Sequence, residues 1–205
     1  MINASILNRF LGSIASAEKL VELARIANNI KGDIVECGVA YGGGVALMSK
    51  VTDKLIWCYD SYEGIQLASE KDDQQAGIGA ITHDVKGDLL KSSGITVCSL
   101  DNFKINLLDM GCQLDRFKFI EGWVQNTIPK TIPKSISLLR LDMDVYDPTL
   151  HALQHLFPLL NKGGVFILDD GNLKGCVDAC NDYFKTINYE PDWQSYNENP
   201  IYFIK

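Results

Sequence analysis

The sequence predicts an α/β protein built on a doubly wound, mostly parallel seven-stranded sheet with an N-terminal helical cap. Three observations carry that reading. Short apolar runs rich in Val, Ile and Phe alternate with longer stretches of helical periodicity. The runs are nearly continuous in apolar residues, as strands covered by helices on both faces require. Glycines and acids follow the runs directly, where the binding crevice of an open parallel sheet lies.

Two amphipathic segments come first, the clearer being "SAEKLVELARIANNIKG", and residues 1–31 read as a helical cap ahead of one domain over 32–205. Strands are expected at "GDIVECG" (32–38), "KLIWCYDS" (54–61), "FKFIEGW" (117–123), "SISLLRLD" (135–142) and "GGVFILDD" (163–170). Between them "YGGGVALMSKVT", "SLDNFKINLLDMG" and "DPTLHALQHLFPLLNKGG" read as helices. The last carries an apolar stripe at Leu150, Leu153, Leu156, Phe157 and Leu160, opened by Asp147 and Pro148 and closed by Gly163 and Gly164. "LKGCVDACNDYFKT" predicts a further helix, and "INYEPDWQ" with "NPIYFIK" an antiparallel pair at one edge. Residues 64–95 break the alternation: polar, glycine-containing and weakly periodic, they read as a lid-like insertion beside the crevice.

Composition excludes several classes. A chain of 205 residues, 46% hydrophobic and 22% charged, is long enough for one well-buried core. Its net charge of −7 comes without any Lys/Arg-rich run, which argues against nucleic acid as a partner. "MINASILNRFLGSIAS" lacks the basic start and long apolar core of a signal peptide, and no apolar run is long enough to span a bilayer. A soluble, cytoplasmic protein is the expectation. The six cysteines lie in apolar or helical stretches without metal-type spacing and read as small buried hydrophobes. Cys176 and Cys180, four apart, lack a second ligand pair; His151 and His155, also four apart, lack the Glu of a zinc motif and read as a helix face.

The chemistry gathers after the strands. "ECGVAYGGG" (36–44) is a glycine turn that lets a ligand approach the backbone and leads into a helix N-terminus; its spacing is neither GxGxxG nor a P-loop. Asp60, some twenty residues on, is placed to accept hydrogen bonds from two ribose hydroxyls. An adenosine-containing cofactor follows, and a dinucleotide or S-adenosylmethionine would both fit. The acids separate them. Asp142, Asp169 and Asp170 converge beyond strands four and five with no Lys or Arg in the flanking turns, and hard oxygen ligands favour Mg²⁺ or a similar divalent ion. Asp169 and Asp170 can meet one ion only if the strand has ended, which Gly171 permits. Asp144 stands behind that trio. Trp123 offers a surface on which adenine could stack, and His83, within the insertion, is a candidate auxiliary base.

"GDIVECGVAYGGG", "YDSYEG", "FIEGWVQNTIP" and "LLRLDMDVYDPTLHALQHLFPLLNKGGVFILDDG" together resemble the TylF-like macrocin O-methyltransferase family, from about residue 32 to 185. The resemblance implies a class I S-adenosylmethionine-dependent methyltransferase fold with a Mg²⁺ site. By position it implies metal ligands at Asp142, Asp169 and Asp170, with Asp142 also the general base. The cofactor would lie over Glu36, Gly38, Val39, Ala40, Tyr41 and Gly42, with Asp60 and Ser61 at its ribose and adenosine. Ser99, Trp123 and Asn126 would stand near the adenine. Met143 departs from the "LDGD" common in that family, and "GSIAS" replaces its more polar N-terminal segment.

The activity this implies is Mg²⁺-dependent transfer of a methyl group to a hydroxyl of a sugar or glycosylated small molecule, in a protein that could form homo-oligomers. A catechol-like diol is the alternative acceptor. A nicotinamide oxidoreductase, which the glycine spacing does not support, and a non-catalytic adenosine-binding protein are the rivals from other classes.

Overall fold

The computed structural model describes residues 3–72, 90–195 and 199–205. Seven strands form one sheet: β1 (Asp33–Cys37), β2 (Ile56–Asp60), β3 (Phe117–Glu121), β4 (Ile136–Leu141), β5 (Leu160–Leu168), β6 (Gln194–Ser195) and β7 (Ile201–Ile204). Their order is β3-β2-β1-β4-β5-β7-β6. The first five are parallel, and β7 runs antiparallel to both β5 and β6. The order reverses between β1 and β4, the switch point at which open sheets bind ligands.

Helices cover both faces. Among the described residues they are α1 (Ala4–Leu7), α2 (Ile14–Asn28), α3 (Gly43–Ser49), α4 (Leu100–Asp109), α5 (Val124–Thr127), α6 (Tyr146–Leu156) and α7 (Lys174–Thr186). Ser13 caps α2, its hydroxyl accepting from Ser16 N–H at 3.1 Å. The buried stripe Ala17, Leu20, Val21, Ala24 and Ala27 then lays α2 on α3 and the sheet. Neighbouring residues of a strand point to opposite faces, so the core has two layers. Ile34, Leu138, Val165 and Ile167 pack with α2, α3 and α4; Val35, Leu139, Phe166 and Leu168 pack with α6 and α7.

The boundaries differ from the sequence reading most in two places, and α6 ends at Leu156, short of the Gly163 and Gly164 expected to close it. β5 begins at Leu160, three residues earlier than expected, because the chain extends as soon as a short 3₁₀ turn over Phe157–Leu159 ends. Of "INYEPDWQ" and the residue after it only Gln194 and Ser195 pair, Pro191 lacking the N–H a ladder needs. All six cysteines are buried and unbridged. His151 and His155 are half-buried on α6, each with a ring nitrogen against a backbone carbonyl: Ile128 O at 3.0 Å and His151 O at 2.9 Å. No helix among the described residues is long and apolar enough to cross a membrane.

Candidate active site

The site begins at the carboxyl ends of β1 and β4. Gly38 takes φ +83°, and a Cβ there would lie 1.7 Å from Asp142 O, so only glycine lets the two strand ends close. Ladder-like bonds carry on past the strands: Gly38 N–H to Tyr59 O (2.8 Å), Asp142 N–H to Cys37 O and Asp169 N–H to Leu141 O (both 2.9 Å). The glycine turn is pinned to β2 through Asp60. Its Oδ2 accepts from Val39 N–H at 2.8 Å and Ala40 N–H at 3.2 Å, and its Oδ1 from Tyr62 N–H at 2.7 Å. Burial raises the Asp60 pKa while these three amides oppose the rise.

Register places the charges. Glu36 lies beside Arg140 on neighbouring strands, on the face that Ile34 and Leu138 share, and Asp142 and Asp169 continue that face beyond the strand ends. Arg140 donates through Nη1 to Glu36 Oε1, stands 2.9 Å from Asp142 Oδ2, and reaches Asp169 Oδ1 through Nη2 at 2.6 Å. Asp170, on the opposite face, accepts from Asp144 N–H at 2.9 Å. Asp144 turns in at φ +64°. Carboxylate oxygens of Asp142, Asp144 and Asp170 all fall within 4.8 Å of one another.

Crowding of like charges in a buried place shifts these groups. Burial first, then Asp169, pushes the Asp142 pKa well up, against the pull of Arg140. Asp170 is pushed the same way by burial and by Asp144, and Asp144 itself rises to about 8, through burial and Asp142. Glu36 rises to about 7 through burial, which outweighs Arg140.

A cavity of about 370 Å³ joins these parts, within the range of small-molecule sites. Gly38, Val39, Ala40, Asp60, Ser61 and Trp123 line it, as do Glu36 and the acids 142, 144, 169 and 170. Six carboxylates therefore face it. Among its described lining residues the cations are Arg9, paired with Asp109 at 3.1 Å, and Arg140.

Some expected residues stand elsewhere. Tyr41 and Gly42 are absent from the lining: the Tyr41 carbonyl accepts from Asn106 Nδ2 at 3.3 Å, and a Cβ on Gly42 would meet Phe103 at 3.0 Å. Ser99 is spent as the α4 N-cap, accepting from Asn102 N–H at 3.3 Å. Asn126 is exposed on α5, and its neighbour Gln125 lines the cavity, bonded to Gln66 at 2.6 Å. Asp169 faces Arg140, and Asp144 completes the three-acid group in its stead. Among the described residues, the positive partner of the "LDMD" acids is Arg140, which stands two residues before Asp142 inside the strand and not in the flanking turns. The insertion's two ends pair with each other, Leu67 N–H to Lys91 O at 2.9 Å and Ser93 N–H to Ile65 O at 2.8 Å. His83 lies outside the described residues.

The donors suit the groups the sequence implied. Three clustered carboxylates offer hard oxygen donors of the kind that suits a divalent ion. Glu36 Oε2 is buried with no hydrogen-bond partner among the described residues, and a side chain on Gly44 would come within 2.6 Å of Glu36 Oε1, so the turn is kept bare beside that carboxylate. The N-terminal segment packs against the start of α3, where a Cβ on Gly43 would meet Phe10 N at 2.4 Å, and Phe10, Gly43 and Gly44 all line the cavity.

This order of strands, with the glycine turn after β1 and the acid ending β2, defines a Rossmann-like class I methyltransferase architecture. The chain belongs to the macrocin-O-methyltransferase (TylF) family, which it matches over residues 14–205. It is 32% identical over 166 residues to an 8-demethyl-8-(2,3-dimethoxy-alpha-L-rhamnosyl)-tetracenomycin-C 4'-O-methyltransferase of Streptomyces olivaceus. It is also 32% identical over 165 residues to a demethyldecarbamoylnovobiocin O-methyltransferase of Streptomyces niveus. Each match covers 77% of this chain and 60% of the relative, so the matched part spans about three-fifths of these longer proteins. Among solved structures, the O-methyltransferase NovP superposes with a TM-score of 0.80 at 25% identity, covering 96% of this chain and 82% of that one. An O-methyltransferase from Bacillus cereus, solved in complex with SAH, shares the fold at a TM-score of 0.62 and 14% identity, covering 100% of this chain and 92% of that one.

Proposed function

We propose that the protein transfers a methyl group from S-adenosylmethionine to a hydroxyl of a sugar or glycosylated small molecule, with Mg²⁺ or a similar divalent ion. One observation carries the reading: a single cavity is lined both by the pinned glycine turn with Asp60 and by the acid cluster. Its six carboxylates favour cationic ligands, a sulfonium and a divalent ion, and disfavour the pyrophosphate of a dinucleotide. The named activities of the relatives support a sugar or glycoside acceptor.

The residues divide the work. Asp60 is held by three amides, two on Oδ2 and one on Oδ1, so its remaining acceptor capacity for a ribose hydroxyl lies on Oδ1. Glu36 offers Oε2 to a donor of the cofactor. Asp142, Asp144 and Asp170 would hold the divalent ion, with Asp169 at the cluster's edge beside Arg140. When bound, the ion supplies Lewis acidity and a template for two vicinal hydroxyls. With the methyl donor bound, the acceptor oxygen would attack the methyl carbon as the carbon–sulfur bond broke with its electron pair going to sulfur, and the hydroxyl proton would pass to a carboxylate of this chain. Asp142 is the assigned acceptor of that proton. Alignment of oxygen, methyl and sulfur can contribute roughly 7–11 kcal/mol to such a reaction.

The test is incubation of the protein with S-adenosylmethionine, Mg²⁺ and a panel of glycosides and catechols, read by mass spectrometry. A methyl gain on a glycoside is expected. Methylation of catechols alone would replace the acceptor class, and no methylation of any hydroxyl would favour a non-catalytic binding role.

A further inference from the structure

The cofactor turn and the acid cluster share one cation. Glu36 and Arg140 are register partners, with side chains 1% and 4% exposed. Arg140 Nη1 faces two carboxylates at once, Glu36 on the side of the glycine turn and Asp142 on the side of the acid cluster. Nη2 is held by Asp169 at 2.6 Å. Gly44 packs so closely that a Cβ there would stand 3.1 Å from Arg140 Nη1 and 2.6 Å from Glu36 Oε1, which leaves the pair little room to reorganise independently. A guanidinium presents its donors in a rigid fork, so a change at one carboxylate is felt at the others.

We propose that Arg140 is a positioning residue that couples the two ligand sites, so that a bound divalent ion and a bound cofactor each tighten the other. The inference rests on the reading above, of a cofactor pocket beside a divalent-ion site. An ion held by Asp142 takes over the charge that Nη1 otherwise balances there. Nη1 then belongs to Glu36, which is fixed with Oε2 toward the cofactor. In the reverse direction, a cofactor donor on Oε2 fixes Glu36 and hence the guanidinium. The guanidinium in turn fixes Asp142 through Nη1 and Asp169 through Nη2, presenting Asp142 to the ion in one geometry. Linkage makes the two effects equal in size.

The experiment is calorimetric titration of the full chain with S-adenosylhomocysteine, with and without saturating Mg²⁺, and of Mg²⁺ with and without S-adenosylhomocysteine. In the unaltered protein each ligand is expected to bind about five-fold tighter or more when the other is present, the lower end of usual coupling. In Arg140→Lys, which has one nitrogen in place of the fork, the ratio is expected to fall below about two-fold, as it is in Glu36→Gln, which keeps the shape and loses the charge. A residue that merely held the fold would lower the melting temperature and both affinities and leave their ratio alone. A ratio of one in the unaltered protein overturns the inference, as does an undiminished ratio in Glu36→Gln, which carries the test should Arg140→Lys fail to fold. Absence of any S-adenosylhomocysteine binding would bring down the functional reading itself, whereas two ligands that bind independently bring down only the coupling.

Discussion

Replacing Gly38 by alanine places a methyl group 1.7 Å from Asp142 O, where real contacts begin at 3.0 Å, so the β1 and β4 ends must part by roughly 1.3 Å. Two costs add. The left-handed backbone at φ +83° costs a non-glycine residue about 1–2 kcal/mol. Separating the strands strains the Asp142 N–H to Cys37 O bond, 2.9 Å long, and losing a buried bond costs about 1–3 kcal/mol. The sum is about 2–5 kcal/mol, or roughly 4–20 °C in melting temperature for a chain of this length. Gly94 supplies the control, since it too has a positive φ, +81°, with nothing within 4 Å of a Cβ. Gly94→Ala should cost about 1–2 kcal/mol, from the backbone alone. Urea unfolding of both variants measures the difference, and equal losses would refute the assignment of Gly38 to close strand approach. The same variant should lose turnover at a temperature where it stays folded, because Asp142 moves with its carbonyl.

Asp142→Ala is expected to abolish turnover and leave S-adenosylhomocysteine binding within a few-fold; retained turnover would contradict the metal mechanism. Asp60→Ala removes a charged acceptor from the ribose and frees three amides, so calorimetry should show affinity weakened about 10- to 150-fold, from about 1.5–3 kcal/mol; unchanged affinity would place the cofactor elsewhere. Glu36 has a folded pKa of about 7 against 4.5 ordinarily, so the folded state binds its proton more tightly than the unfolded state does. Its contribution is present below pH 4.5 and lost as pH rises to about 7, a fall on the order of 3 kcal/mol. Glu36→Gln should flatten the stability profile across that window in urea titrations at stepped pH; an unchanged slope would mean the fall arises elsewhere. Chelation with EDTA should stop turnover and added Mg²⁺ restore it, whereas turnover unaffected by EDTA would remove the ion from the reaction.

The sheet was legible because each parallel strand is a nearly unbroken apolar run, and buried strands have few other sequences available to them. That Gly38, Val39, Ala40, Asp60 and the acids at 142, 169 and 170 would gather at one cavity was legible for a related reason: residues that follow parallel strands share one edge of the sheet. What the chain did not disclose depends on pairing between distant segments. Arg140 meets Glu36 only because β4 lies beside β1, and nothing local to "LLRLD" announces that neighbour. The one signal was a charge inside an otherwise apolar strand, which burial forbids without a partner. Asp144 joins the cluster through a left-handed turn at φ +64°, which strand alternation does not anticipate. Gln125 and Asn126 differ by one step in a four-residue helix, too short for periodicity to say which side faces inward. The last sheet edge was half legible, since Pro191 should have shortened the first of its two strands.

The central claim, a methyl-donor cofactor beside a divalent-ion site, is tested most directly by calorimetric titration with S-adenosylhomocysteine and with NAD⁺, each with and without Mg²⁺. The account predicts saturable binding of S-adenosylhomocysteine and none of NAD⁺. Binding of NAD⁺ alone, or of neither under both conditions, would contradict it and return the cavity to another ligand.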